Sequence, residues 1–333
     1  MKPVPRLPYP DGWFAVGFSS EFPVGRVLRR NFMGEELVVY RTRSGRVCVT
    51  RPFCPHLGAH LGYGGRVEAE NIVCPFHHFA FGPSGDCVRT GTGAPPPPKA
   101  RLDTLEVREV NGMVLVWHHA QGATPQWEIP PVPTDGFPAT AHRTFTLVDH
   151  PQDIVENSVD WAHFRPVHKL AIEVRKPPFF HGRTMELEYD GTGDHGGNLG
   201  FFSLLTANAT VKVTGLGWIT ADAWVPKLGI RLLVWVLSTP IDPVRIDLRI
   251  VVTARLWAPP GRLTPPRSLM PIAVSRLATR AITPLFCFDL KNDFPIWENK
   301  IYQDRPRLTQ GDGPITPFRR WASQFYSSPL DTH

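Results

Sequence analysis

Two short segments of the chain each pair one cysteine with one histidine. Cys54-Pro-His56 and Cys74-Pro-Phe-His77 are separated by seventeen residues, so each segment supplies one thiolate and one imidazole. Such a set can bind a tetrahedral zinc ion, or it can hold a 2Fe-2S cluster with cysteine on one iron and histidine on the other. Zinc fingers commonly carry pairs of cysteines and pairs of histidines, so the mixed pairs favour the cluster.

A second group of potential metal ligands follows later in the chain, where four residues separate His163 from His168. Two histidines and one carboxylate can bind Fe(II) on one face and leave positions open for dioxygen and substrate. Asp289 and Asp293 lie one helical turn apart and are the candidate carboxylates. A histidine near a helix terminus is more often a cap or a buried hydrogen-bonding residue, so this pattern alone leaves both interpretations open.

Together these motifs resemble those of the Rieske non-heme iron oxygenases. The similarity lies in Cys-Pro-His-Leu-Gly-Ala at 54–59, Cys-Pro-Phe-His at 74–77, and an Asn-x-x-Asp-x-x-His-x4-His pattern that starts at Asn157. The resemblance implies that the cluster is held by Cys54, His56, Cys74 and His77. It implies that the mononuclear iron is held by His163, His168 and Asp293.

The resemblance also separates neighbouring candidates from one another. Asp293 starts the Asp-x-x-Ile-Trp motif of the steroid-oxidising members, whereas Asp289 does not match it and is expected to be a solvated helix carboxylate. His60 and His78 are expected to be structural. Ala59 and Phe76 stand where the respiratory-complex type has extra cysteines, which favours the soluble oxygenase and ferredoxin type without a disulfide.

Two polar residues near the iron ligands receive roles by resemblance. Enzymes of this family assemble as rings of three, in which an aspartate at the position of Asp160 bridges a cluster histidine of one subunit to an iron histidine of the next. Electrons would then pass from His77 through Asp160 to His163, and Asn157 would hydrogen bond near the iron. A surface aspartate paired with an arginine, and an exposed helix amide, are the structural alternatives.

Within the family, residues 9–13, 111–117 and 312–326 resemble the cholesterol 7-desaturase type and its relative, 3-ketosteroid 9α-hydroxylase. The implied activity is O2-dependent oxidation of a sterol or steroid C–H bond. Cholesterol 7-desaturation is favoured, and 9α-hydroxylation or another Rieske monooxygenase reaction is the alternative. A Rieske electron carrier without catalysis is the non-enzymatic alternative.

The cofactors implied by the resemblance are a Rieske 2Fe-2S cluster, mononuclear Fe(II), O2, and NAD(P)H used through a separate ferredoxin or flavin reductase. The chain itself has no flavin or nicotinamide fingerprint, which is why a separate reductase is expected. The expected substrate is a sterol or steroid. The expected assembly is a homotrimer.

The elements that position these residues form two predicted domains. Residues 1–122 are predicted to be a compact all-β Rieske domain with a hairpin at 36–49, residues 123–140 a Pro-rich linker, and residues 141–333 the mononuclear iron catalytic domain. In the catalytic domain we expect a helix over 152–164 that ends at Pro166, five strands over about 184–257, and a helical stretch over about 267–300. The predicted fold class is α+β, with a helix-grip-like catalytic domain that has an antiparallel sheet and a long C-terminal helix.

Composition narrows the partners and the location. The 36 Lys and Arg residues exceed the 30 Asp and Glu residues by six, but they are scattered, so we expect no nucleic-acid partner. No apolar run reaches the roughly 20 residues of a spanning helix, and the N-terminus lacks a signal-peptide core. We expect a cytoplasmic protein that can associate with membranes through its lipophilic substrate. Candidate cavity residues, for which core packing is an equal explanation, are Phe201, Phe202, Trp218, Trp224 and Trp235.

Overall fold

The structure is a computed structural model that describes residues 7–193, 206–257 and 271–327. The described part of the chain divides into two compact units. One unit spans Asp11–Pro131. The other begins at Val132 and also includes residues 7–10.

The first unit consists of short antiparallel strands, which confirms the prediction of an all-β N-terminal fold. The strands are β1 (Gly12–Phe18), β2 (Val27–Phe32), β3 (Glu35–Arg41), β4 (Val47–Thr50), β5 (Arg66–Glu68), β6 (Asn71–Val73), β7 (Ala80–Phe81), β8 (Cys87–Arg89), β9 (Thr104–Leu105), β10 (Val107–Val110) and β11 (Met113–His118). They form three sheets, in the orders β1-β11-β10, β2-β3-β4-β9 and β5-β6-β7-β8. The predicted hairpin is confirmed, because β3 pairs with β4 across a turn in which Gly45 has a positive φ of 96°.

The sheet β5-β6-β7-β8 positions the cysteine-histidine segments. Residues 54–59 precede β5, and residues 74–79 connect β6 to β7. Cys54 and Cys74 belong to one hydrophobic cluster together with Leu61, Phe79 and Phe81. The core of this sheet therefore fixes the depth of both cysteine side chains.

The second unit contains a seven-stranded antiparallel sheet in the order β12-β18-β17-β16-β15-β14-β13. Its strands are β12 (Ala141–Leu147), β13 (Leu170–His181), β14 (Thr184–Gly193), β15 (Thr206–Thr214), β16 (Trp218–Val225), β17 (Ile230–Pro240) and β18 (Ile246–Leu256). The five strands predicted over about 184–257 are β14 to β18, and the antiparallel sheet of the predicted fold class is confirmed. Strands β12 and β13 were not expected from the sequence.

Strand β13 carries Pro177 and Pro178, residues that cannot donate a backbone hydrogen bond. The strand tolerates them because it is the last in the sheet order and its pairing with β14 shifts register between Val174 and Lys176 and between Lys176 and Phe179. Prolines are confined to such edges and bulges in sheets. The two prolines explain why the segment does not resemble a strand in the sequence.

The helices of the second unit are α1 (Pro151–Glu156), α2 (Phe164–His168), α3 (Ile272–Leu290), α4 (Phe294–Trp297) and α5 (Ile315–Ala322). The prediction of one helix over 152–164 ending at Pro166 is wrong. Helix α1 ends at Glu156, and Pro166 lies in the first turn of α2, where its missing N–H would have no intrahelical partner. The intervening turns place Asn157 and His163 next to each other.

The long C-terminal helix is confirmed as α3, which packs on strand β18. The predicted stretch is not continuous, because α3 ends at Leu290 and Asp293 then precedes α4. The first residues of that prediction, 267–270, lie outside the described residues. Among the helices of residues 7–193, 206–257 and 271–327, none combines the length and apolar character needed to cross a bilayer.

Candidate metal centres

The two cysteine-histidine segments fold into loops of the same construction. The backbone N–H of Cys54 donates to the carbonyl of Ala59, and the N–H of Cys74 donates to the carbonyl of Phe79, each at 2.8 Å. Each loop is therefore closed by a hydrogen bond from its cysteine to the residue five positions later. The closures hold both loops in a similar curve.

The loops separate the thiols from the imidazoles by depth. Cys54 and Cys74 are 3% and 1% exposed, whereas His56 is exposed and His77 is half-buried. The two imidazole rings lie 4.7 Å apart, and the ring of His56 stacks on Phe79. A cluster with one cysteine-bound and one histidine-bound iron requires this separation. In the described ranges the four ligand atoms do not converge on one point, as those of a single zinc ion would.

The environment of the two thiols fits a cationic group. Burial raises the pKa of Cys54 to about 11, the adjacent Cys74 thiol contributes to the rise, and a hydrogen bond from the backbone of His56 opposes it. Two adjacent buried thiolates therefore need positive charge beside them, which an iron-sulfur cluster supplies. All five cysteines are free, as expected for the type without a disulfide.

The neighbouring histidines have other contacts. His60 accepts a hydrogen bond at Nδ1 from the N–H of Gly62, and its Nε2 lies 3.0 Å from the carboxylate of Glu36. His78 is exposed and has a positive φ of 56°, in the turn that follows His77. Both positions agree with the structural roles expected for these residues.

His163, His168 and Asp293 come together at a second centre. One potential ligand atom from each lies within 4.8 Å of the other two. Helix α2 provides both histidines, because His163 immediately precedes it and His168 is its last residue. Asp293 immediately precedes α4, so the break after α3 turns its carboxylate towards the histidines. Nε2 of His168 and Oδ2 of Asp293 lie 3.1 Å apart.

A backbone carbonyl fixes the orientation of His163. Nδ1 of His163 donates a short hydrogen bond to the carbonyl of Asp160, so the lone pair of the neutral ring is on Nε2. Burial lowers the pKa of His163, which favours this neutral, metal-binding form. The amide nitrogen of Asn157 lies 3.2 Å from the same Nε2. A ligand histidine held by its other nitrogen is the usual arrangement in metal sites.

The carboxylate of Asp293 supplies the test of whether a cation fits here. Its Oδ2 is fully buried and forms no well-aligned hydrogen bond with any described residue. The contact of Oδ2 with Nε2 of His168 is not a well-aligned hydrogen bond, so the buried carboxylate is poorly compensated. A divalent cation held by two histidines and this oxygen removes the penalty. The three residues therefore fit a mononuclear iron with a two-histidine, one-carboxylate ligand set.

Two aspartates near this centre, Asp289 and Asp160, differ in their exposure to solvent. Asp289 is 1% exposed and accepts a hydrogen bond from the amide of Asn292, so the prediction of a solvated carboxylate is wrong. It belongs to the inward side of α3, whereas we expected it on the solvated side of a helix. The carboxylate of Asp160 is partly exposed and lies 3.8 Å from Nδ1 of His163. Its backbone, and not its carboxylate, makes the close contact to the ring.

An apolar cavity adjoins this second centre. The three ligand residues line it together with the inner surface of strands β14 to β17. Gly191, Ala209, Ala221 and Ala223 form a floor of small side chains across three neighbouring strands. Asp293 is the only carboxylate among the described lining residues, so the cavity suits an uncharged and largely apolar molecule.

Trp218, Trp224 and Trp235, three of the aromatic residues considered for this cavity, are not among its described lining residues. Trp218 and Trp235 are fully buried core residues, and Trp224 is partly exposed and contacts Trp257. Phe201 and Phe202 lie outside the described residues. Core packing is therefore the explanation for Trp218 and Trp235.

Sequence reasoning missed residues whose role depends on the close approach of distant segments. A Cβ on Gly91 would lie 2.1 Å from the carbonyl oxygen of His77, so only glycine fits beside the second cluster loop. Tyr189 lines the cavity and contacts Phe164. No local spacing marks either residue, and only an alignment of relatives would have pointed to them.

Comparison with known families gives two matches that together cover most of the chain. Residues 12–106 match the Rieske [2Fe-2S] domain. Residues 116–326 match the 3-Ketosteroid 9alpha-hydroxylase C-terminal domain. The cysteine-histidine loops lie within the first match, and His163, His168 and Asp293 lie within the second.

Relatives with assigned names are similar in sequence to nearly the whole chain. The cholesterol 7-desaturase nvd of Bombyx mori is 31% identical over 330 residues, which cover 96% of this chain and 70% of that protein. The corresponding Drosophila melanogaster protein is 29% identical and is covered to 76%. The probable 3-ketosteroid-9-alpha-monooxygenase, oxygenase component, of Rhodococcus rhodochrous is 29% identical, with 96% of this chain and 80% of that protein covered.

Solved structures share the fold. Dicamba monooxygenase bound to dicamba superposes with a TM-score of 0.71 at 17% identity, over 95% of this chain and 96% of that one. The Pseudomonas putida CBB5 protein NdmA with caffeine superposes with a TM-score of 0.69 at 17% identity, over 93% and 89% of the two chains. At these identities the likeness concerns the fold alone.

Proposed function

The chain belongs to the Rieske oxygenases that carry a 3-ketosteroid 9α-hydroxylase C-terminal domain, and we propose that it oxidises a sterol or steroid, most favourably cholesterol by 7,8-dehydrogenation. The observation that carries the proposal is the convergence of His163, His168 and Asp293 on a cavity whose floor is apolar and includes small side chains. The desaturase relatives support the choice of reaction. Hydroxylation of a 3-ketosteroid is the second candidate, supported by the C-terminal family match and the Rhodococcus relative.

The enzyme uses a Rieske cluster, a mononuclear iron, O2 and NAD(P)H electrons supplied through a reductase. We assign Cys54 and Cys74 to one iron of the cluster, and His56 and His77 to the other. We assign the mononuclear iron to His163, His168 and Asp293. When bound, these groups supply single electrons and activate dioxygen for attack on a C–H bond.

The protein's own residues prepare the site for this chemistry. The carbonyl of Asp160 holds the proton of His163 at Nδ1 and thereby keeps Nε2 available as a ligand atom. The Asn157 amide reaches the same nitrogen and is positioned to donate a hydrogen bond beside the ligands. The apolar walls exclude water, which limits side reactions of a strongly oxidising centre.

The position of the substrate over the ligands determines the product. The small side chains of Ala209, Ala221 and Ala223 leave a smooth floor on which fused rings can lie flat. If hydrogens on two adjacent carbons face the ligands, loss of both would give a double bond, while O2 takes up these hydrogens, two electrons from the reductase and two protons to form two water molecules. If only one hydrogen faces them, transfer of oxygen to that carbon gives an alcohol. The cavity residues therefore select between desaturation and hydroxylation by orientation.

The proposed partners follow from the same assignment. A ferredoxin or flavin reductase is the electron donor of the oxygenase component. We further propose a homotrimer, in which Asp160 links the cluster histidine of one subunit to His163 of the next; the partly exposed Asp160 carboxylate beside His163 supports this role. Association with membranes is proposed through the lipophilic substrate.

Metal analysis and product analysis test the proposal together. After anaerobic purification we expect about three irons per chain, whereas an electron carrier would hold about two, and a zinc protein would hold none. The protein is then incubated with cholesterol or a 3-ketosteroid, a reductase and NADH, and the products are analysed by mass spectrometry. Loss of two mass units from cholesterol indicates desaturation, and gain of one oxygen on the ketosteroid indicates hydroxylation. Three irons without conversion of either compound would contradict the steroid assignment.

A further inference from the structure

The long helix α3 buries several hydroxyl side chains and leaves large apolar side chains exposed. Its side against the sheet includes Ser275, Thr279 and Thr283, all of which are buried. Its outward side includes Leu277 and Phe288, each 66% exposed. A helix on the surface of a globular protein usually buries its apolar face and exposes its polar one. The outward face of α3 therefore needs a reason outside the packing of the fold.

Hydrogen bonds explain how the inward face can be polar. The Thr279 hydroxyl accepts from the N–H of Ala254 at 2.9 Å, and the Ser275 hydroxyl accepts from the N–H of Leu256 at 3.3 Å. The Thr283 hydroxyl donates to the carbonyl of Thr279 at 2.7 Å. The hydroxyl groups are thus satisfied, and their hydrogen bonds attach α3 to β18 in addition to the burial of Ile282 and Cys287.

The outward residues form a continuous apolar stripe. At 3.6 residues per turn, five exposed positions fall on one line along the helix, and Leu285 widens the line. The five positions are Ala273, Leu277, Ala281, Pro284 and Phe288. A stripe of this length covers most of the 19-residue helix and is therefore more than a single exposed hydrophobic residue.

The charges beside the stripe are all positive. Arg276 and Arg280 are exposed along one flank, and Lys291 is exposed just beyond the helix. The one acidic residue of α3, Asp289, is buried and faces inward. An apolar stripe with basic flanks and no exposed acid on the described helix is complementary to the surface of an anionic membrane.

The same helix forms part of the cavity wall. Phe286 and Leu290 line the apolar cavity from the opposite side of α3 to the stripe. The helix thus separates the cavity from the surface that carries the stripe. A lipophilic molecule dissolved in a bilayer beneath this helix would be close to the cavity that receives it.

We propose that the outward face of α3, defined by Leu277, Leu285, Phe288, Arg276 and Arg280, lies on the surface of an anionic lipid bilayer. The apolar side chains enter the boundary between headgroups and acyl chains, and the two arginines contact anionic headgroups. Docking in this way takes the substrate from the membrane. This last statement rests on the proposed function, whereas the docking itself does not.

Vesicle binding tests the docking directly. The holoprotein is floated with extruded vesicles of phosphatidylcholine alone or of phosphatidylcholine with ~30% phosphatidylglycerol. The anionic lipid gives the second vesicles a strong negative surface potential. We expect binding to the anionic vesicles only. The double variant Arg276→Gln/Arg280→Gln should bind about tenfold more weakly or worse, and Leu277→Ser/Phe288→Ser should bind at least as poorly.

Matched controls remove equal charge or equal apolar area elsewhere. Arg305→Gln/Arg307→Gln removes two other exposed arginines, and Phe179→Ser/Leu228→Ser removes two other exposed apolar side chains. Both controls should bind as the parent protein does. Equal losses in the α3 variants and the controls would overturn the proposal. It would also be overturned if Leu277→Ser/Phe288→Ser dissociated an oligomer in light scattering while the parent protein ignored vesicles, since the face would then be a contact between copies.

Substrate delivery separates this proposal from the proposed function. With sterol supplied in cyclodextrin, Leu277→Ser/Phe288→Ser should turn over at the parental rate. With sterol supplied in anionic vesicles, the same variant should lose most of its rate. If the parent protein converts no sterol or steroid from cyclodextrin, the proposed function fails, and vesicle binding alone then decides the docking. Equal rates from both sources in variant and parent would contradict membrane delivery.

Discussion

Arg319 holds the end of helix α1, and therefore Asn157 beside His163, through a buried ion pair. Its guanidinium donates to both carboxylate oxygens of Glu156, at 2.6 and 2.7 Å, and the two side chains are only 17% and 11% exposed. Glu156 is the last residue of α1 and directly precedes Asn157. We expect Arg319→Ala to leave the buried Glu156 carboxylate without a partner.

The loss should be large. Removing one partner of a buried pair costs about 3–5 kcal/mol, because the remaining charge stays buried. For a unit of roughly 200 residues, each kcal/mol lowers Tm by about 2–4 °C, so the expected decrease is about 6–20 °C. The methyl side chain also gives up the contact of the guanidinium with the ring of Tyr302, which adds to the loss.

Thermal unfolding of the parent, Arg319→Ala and Arg320→Ala measures this effect. Arg320 is the exposed neighbour on the same helix, so its variant should lie within about 0.5 kcal/mol of the parent. The double variant Glu156→Gln/Arg319→Ala should recover part of the loss, since no charge remains buried. A loss below about 1 kcal/mol in Arg319→Ala would refute the reasoning, because the pair would then behave as a surface ion pair.

Three further predictions concern the two candidate metal centres and the stability of the N-terminal unit. His168→Ala should lower the iron content by about one per chain while the visible absorption of the cluster remains, as measured by metal analysis and absorbance. Gly91→Ala should reduce cluster content, because the new Cβ would overlap the carbonyl of His77; normal cluster absorbance in a folded variant would contradict this. Burial lowers the pKa of His118 to about 4 in the folded protein. In the unfolded chain this residue binds a proton below about pH 6.5, whereas in the folded protein it stays neutral until about pH 4. Folding stability should therefore fall by about 2–3 kcal/mol as the pH drops through this window, and His118→Asn should flatten the dependence in urea unfolding at pH 7 and pH 5.

Short motifs allowed much of the molecule to be predicted from the sequence. Cys54, His56, Cys74 and His77 are fixed by spacing within two loops, and loop spacing is a local property. Five of the seven antiparallel strands of the second unit, β14 to β18, followed from runs rich in Val, Thr and Trp. For the loops and these strands local sequence and tertiary structure agree. The assignment of the four loop residues to a cluster stays a prediction.

The prediction of one continuous helix over 152–164 was wrong. The spacing of Glu156, Asp160 and His163 fits a helical face, but the chain leaves the helix after Glu156 so that Asn157 can reach His163. A similar break before α4 brings Asp293 to the same centre. Spacings of three and four residues cannot distinguish a helix from successive turns, because both place such residues on the same side of the chain.

The cavity floor could not have been identified from the sequence for a different reason. Ala209, Ala221 and Ala223 are distinguished by what surrounds them, and strand register brings them side by side only after the sheet has formed. Large aromatic residues attract attention in a sequence, yet Trp218 and Trp235 fill the core. A binding surface made of small residues leaves no compositional mark.

The edge position of β13 has a consequence for how this protein behaves in concentrated solution. The last strand of an open sheet presents unpaired backbone groups on which a strand of another molecule can grow, a common start of aggregation. Pro177 and Pro178 remove two amide donors from that strand, and the register shifts beside Lys176 bend it away from a flat template. Replacement of both prolines by valine would restore a regular edge strand with free backbone hydrogen-bonding groups. A chain that folds correctly alone would then accumulate as higher-order assemblies.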